Sequence, residues 1–109
     1  MDMKILTYVD KQDGSTWIRF ETIDYWYYFP LPLEFFEQEN NCTVLSNQET
    51  TDFREARLKK DNIEFELLHD DLFGNCIRTN NLHDVPTLVQ LANNVLESII
   101  KAEKLRGHK

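Results

Sequence analysis

Glycine and proline are both scarce in this chain, with three of each in 109 residues. That scarcity argues against a disordered or low-complexity protein. The glycines, at positions 14, 74 and 107, are also too dispersed to form a phosphate-cradling loop. Long hydrophobic runs are missing as well. No stretch approaches the roughly 18 apolar residues of a membrane span, and "MDMKILTYVDKQDGS" has neither the apolar core nor the small-residue cleavage site of a signal peptide. A cytoplasmic protein with no membrane partner is expected. Cysteine is limited to Cys42 and Cys76, without a CxxC pair, which predicts two reduced, buried thiols and leaves a disulfide between them open. Basic residues are in deficit, twelve against nineteen acids, for a net charge of −7. Such a balance repels nucleic acid and anionic lipid, so direct nucleic-acid binding is not expected.

What is present suits one globular α+β domain spanning residues 1–109. "KILTYVD" and "TWIRFETI", joined by "KQDGS", read as a β-hairpin. The extended pattern continues through the aromatic segment to Phe29. A change of apolar phase between Phe20 and Ile23 suggests a bulge or turn near Glu21–Asp24. Pro32 and the acids Glu34 and Glu37 then suit the first turns of a short helix, Pro32 to Glu39, followed by a short strand "CTVLS" and a polar loop "NQETTD".

The strongest local pattern is "REARLKKDNIEFELLHD". A two-residue loop at Asp61–Asn62 sets Leu58 opposite Phe65 and Ala56 opposite Leu67 on one face. On the other face Lys59 meets Glu64 and Arg57 meets Glu66, opposite charges across the ladder. One more strand, Asn75 to Thr79, follows a turn at Gly74. Asp84 is the expected N-cap of a long C-terminal helix whose stripe is Leu88, Leu91, Ala92, Val95, Ile99 and Ala102. The expected architecture is an antiparallel sheet of about five or six strands packed against that helix.

Catalytic sets are hard to assemble from these residues. His69, Asp70 and Asp71 with His83 and Asp84 offer metal-ligand atoms but no established ligand spacing, and turn and capping roles account for the acids among them. Glu64 and Glu66 share a strand face, yet each has a cation opposite. Cys42 or Cys76 with His69 or His83 lacks a nucleophile context. No metal, no cofactor and no enzymatic activity are expected.

The surface is more informative. Seven of thirteen aromatic residues fall between Tyr25 and Phe36, in "DYWYYFPLPLEFF". Trp26, Phe29 and one or both of Phe35 and Phe36 suit a core, whereas tyrosine hydroxyls favour a wet boundary. Tyr25 and Tyr27 beside Glu34 and Glu37, with Asp70 and Asp71 as a second group of acids without cations, make candidate contacts for a basic protein.

A small, acidic α+β chain with such an aromatic-acidic segment resembles the immunity proteins that bacteria pair with secreted toxins, including those of contact-dependent growth inhibition. The resemblance implies binding to a cognate toxin domain, commonly a nuclease, and occlusion of its active site or substrate groove, by a monomer or a homodimer. The alternative is a non-catalytic structural or regulatory interaction module, with a homodimer that pairs its own aromatic edge as one form of it.

Overall fold

The computed structural model describes residues 5–20, 29–50, 54–71 and 74–107, with side chains to residue 102. Along the chain come β1 (Ile5–Val9), β2 (Thr16–Phe20), α1 (Pro30–Glu39), β3 (Thr43–Glu49), β4 (Arg54–Lys60), β5 (Ile63–Asp70), β6 (Gly74–Thr79), a 3₁₀ turn (Leu82–Asp84) and α2 (Val85–Gly107). The six strands form one antiparallel sheet in the order β1-β2-β6-β5-β4-β3. The expected α+β architecture is therefore the observed one.

The hairpin of β4 and β5 has the register that its two patterns dictate. Leu58 pairs with Phe65, Ala56 with Leu67, Lys59 with Glu64 and Arg57 with Glu66. Asp61, the first loop residue, has a left-handed φ of 54°. In the β1–β2 turn the left-handed residue is Gly14, at φ 77°. Asp13 closes that turn by accepting from Ser15 N at 2.8 Å and Ser15 Oγ at 2.6 Å. Those bonds hold the Asp13 carboxyl below its ordinary range.

Side chains alternate across each strand, so one sheet face carries Ile18, Phe20, Ala56, Leu58, Phe65, Leu67 and Ile77, all buried. Both helices cover this face. From α1 comes Phe36, edge-on to Phe20 at 6.3 Å and to Phe65 at 5.5 Å between ring centroids. From α2 come Leu88, Leu91, Ala92, Val95, Leu96 and Ile99, at the predicted 3.6-residue spacing. Each such large side chain, taken fully out of water, contributes about 1.5–3 kcal/mol.

Several local expectations are corrected. Phe29 is not the end of a strand: it has helical angles, φ −53° and ψ −43°, and α1 starts at Pro30 rather than Pro32. A residue before proline normally avoids that region. Here the Phe29 ring is buried, with the Arg54 guanidinium 5.7 Å from its centroid. β3 runs on to Glu49, so "NQE" belongs to a strand and not to a loop. Asp84 does not cap the long helix. It ends the 3₁₀ turn, which Asn81 caps by accepting from His83 N at 3.0 Å. The expected bulge near Glu21–Asp24 lies outside the described residues; a register shift occurs instead between Val44 and Ser46 in β3, where Leu45 is exposed. Cys42 and Cys76 are free and buried, so no disulfide joins them.

Candidate functional site

Among the described residues the opposite sheet face adds no side chain to the core cluster, and it is polar and aromatic. The β1–β2 register sets Tyr8 beside Trp17, and their rings stack with centroids 6.2 Å apart and an interplanar angle of 11°. Trp17 Nε1 donates to Ser15 Oγ at 3.0 Å, so the turn that closes the hairpin also orients the indole. Arg78, opposite Trp17 on β6, places its guanidinium 5.9 Å from the indole centroid. An Nη of the same group stands 3.6 Å from Glu66 Oε1.

Arg57, although level with Glu66, reaches diagonally to Glu64 at 3.4 Å. The cross-strand register is thus as expected, while the ion pairs are redistributed. Glu55 and Glu66 interact as neighbouring carboxyls. Burial, followed by the charge and hydrogen bond of Glu66, pushes the Glu55 carboxyl up.

Beyond the end of β6, an open cleft of about 720 Å³ lies between the β4–β5 hairpin and the 3₁₀ turn; Arg57, Glu64, Arg78, Asn81 and His83 are among its walls. Its two arginines are already engaged by Glu64 and Glu66. It therefore offers a polar groove and no uncommitted guanidinium for an anion.

The residues singled out for partner binding do not form one patch. Tyr25 and Tyr27 lie outside the described residues. Glu34 and Glu37 are exposed on α1, one turn apart, and Gln38 and Glu39 beside them are exposed too. No cation occurs on this helix, and among the described residues neither Glu34 nor Glu37 has an ion pair. Glu39 instead accepts from Ser98 Oγ of α2 at 2.8 Å. Asp70 ends β5 and Asp71 is exposed in the following turn. Asp70 shares the face of Tyr8 and Cys76, where its charge helps to raise both groups. Glu34 and Glu37 thus belong to a helix on one side of the sheet, whereas Asp70 lies on the other.

The potential catalytic and metal sets also come apart. His69, near the end of β5, pairs its Nδ1 with Asn75 Oδ1 at 3.0 Å. His83 follows β6 and lies at the other end of the antiparallel sheet. Among the described residues no three His, Cys, Asp or Glu side chains gather as a metal-binding group. Burial pushes the Cys42 thiol up to about 11 and the Cys76 thiol up to about 12. The protonated thiol is therefore the resting form of each near neutral pH. No helix among the described residues is long and apolar enough to cross a membrane.

The Tyr8, Trp17 and Arg78 constellation is absent from the sequence-level candidates. A usable signal existed, since closing the first hairpin at Gly14 would have set Tyr8 across from Trp17. Arg78 required the strand order, in which β6 and not β3 lies beside β2. Comparison of the chain with models of protein families, with curated proteins and with solved structures returned no match.

Proposed function

We propose that this protein is a non-catalytic immunity protein that binds a cognate bacterial toxin domain in the cytoplasm and covers its basic active-site or substrate groove. The toxin class best suited to such a groove is a nuclease. The observation that carries the reading is α1, a surface helix with Glu34 and Glu37 exposed one turn apart and no cation of its own. It belongs to a chain of net charge −7. Like charges at this helical spacing disfavour the helix by about 0.2–0.5 kcal/mol. A partner rich in lysine and arginine would relieve that repulsion and be steered to it.

The test is co-expression with the C-terminal region of the protein encoded immediately upstream, scored by growth and then by calorimetry. Rescue of growth with tight one-to-one binding is expected. A double Glu34→Lys, Glu37→Lys variant should slow association and lose rescue while its thermal stability stays equal or rises. A harmless neighbour that does not bind, or full rescue by the reversed-charge variant, overturns the proposal.

A further inference from the structure

The two edges of the sheet are unequal. β3 is protected by its register shift and by a polar sequence, "TVLSNQE", exposed along nearly all its length. Bulges and polar side chains are how sheets resist edge pairing. β1 has neither device. Its sequence "ILTYV" contains no charge and no proline, and Leu6 and Val9 are 42% and 53% exposed.

The hydrogen-bond phase shows which backbone groups face outward. Asp10 N donates to Ser15 O at 2.8 Å, so position 10 bonds inward to β2. In an antiparallel ladder this alternates, so Leu6 and Tyr8 bond inward while Ile5, Thr7 and Val9 turn their N–H and C=O groups to the open edge.

We propose that β1 is a homodimer edge, pairing antiparallel with β1 of a second copy about a two-fold axis at Thr7. The outward groups are arranged symmetrically for this. Thr7 exchanges hydrogen bonds with Thr7 of the other copy, and Ile5 does so with Val9. The same register sets Leu6 against Tyr8 on one face and Ile5 against Val9 on the other, covering the exposed Leu6 and Val9. Two acidic molecules would meet along a strand that carries no charge of its own. A second copy satisfies this pattern from both sides, because Ile5–Val9 is its own complement. The inference uses the β1 edge and none of the α1 acids, and is independent of the immunity reading.

Light scattering and sedimentation equilibrium of the purified full chain should give twice the chain mass. Val9→Lys, a change on the edge itself, should lose the dimer while keeping the native circular dichroism. Thr7→Cys offers a second readout. In a hydrogen-bonded antiparallel pair the two Cα atoms stand about 5.5 Å apart, within disulfide range, and the native thiols are buried. Mild oxidation should convert Thr7→Cys to a covalent dimer and leave Lys11→Cys, in the exposed turn, as single chains. A single-chain mass for the wild type throughout the micromolar range overturns the proposal. So does a dimer that survives Val9→Lys and fails to cross-link through position 7.

Discussion

Arg78 bridges two chemically different neighbours: its guanidinium lies 5.9 Å from the Trp17 ring centroid while one of its nitrogens stands 3.6 Å from Glu66 Oε1. The bridge ties β2 to β5 across β6, since Trp17 and Glu66 are the register partners of Arg78 on either side. A cation over an indole at a partly exposed site contributes about 0.5–1 kcal/mol, and an exposed ion pair about 0–1 kcal/mol. Arg78→Gln should therefore lower stability by about 0.5–2 kcal/mol in urea denaturation. Arg78→Lys, which keeps the charge but loses the planar group, should fall between the two.

Glu55 gives the sheet a pH dependence of defined sign. Its carboxyl is raised above the ordinary 4.5, chiefly by burial and then by Glu66. The folded chain therefore binds more protons than the unfolded one between 4.5 and the raised value, and stability falls as pH climbs through that window. Glu55→Gln removes the contribution. Thermal melts at a series of pH values should show a smaller decline for the variant above pH 4.5.

Phe36 sits between Phe20 and Phe65, fully buried, and is the ring through which α1 engages the sheet. Phe36→Ala should cost about 3–5 kcal/mol, the range for removing a buried aromatic side chain. Loss of the native near-ultraviolet circular dichroism at a lower urea concentration is the readout.

Asp61 carries a left-handed φ of 54° at the first position of the two-residue β4–β5 loop. Glycine adopts that conformation without the Cβ clash. Asp61→Gly should raise stability by about 0.5–1 kcal/mol by equilibrium unfolding. A loss of stability would mean that the Asp61 side chain contributes more than its backbone strain costs.

The thiols should be nearly inert in the folded chain. With Cys42 pushed up to about 11 and Cys76 to about 12, and both buried, a disulfide reagent at neutral pH should label them only as the chain opens. Labelling kinetics in native buffer and in urea check this. Rapid reaction of either thiol in native buffer would contradict it.

Where two independent sequence patterns agreed, the fold was readable. Alternating apolar residues and opposed charges specified the β4–β5 register, and a 3.6-residue stripe specified α2. Where only one signal existed and tertiary contacts opposed it, the reading failed. Phe29 takes helical angles before a proline because its ring is buried beneath Arg54. Most of β3 is wet on both faces, so "NQE" shows no hydrophobic period to betray a strand. The acids of α1 could be seen in composition, but their separation from Asp70 follows from the layering of helices on one face. The contacts of Trp17 with Tyr8 and Arg78 depend on strand order, which local sequence does not encode.

The asymmetry between the edges of the sheet also bounds how far assembly can proceed. Pairing through β1 joins identical surfaces, so the contact is isologous and closes on itself. The outermost strands of the resulting pair are then two copies of β3, each interrupted by the register shift at Leu45. Growth into an open-ended fibre would require adding a strand to β3, where the irregular backbone and solvated side chains supply a poor template. The proposed pair would thus stop at twelve strands, twice the six found among the described residues of one chain.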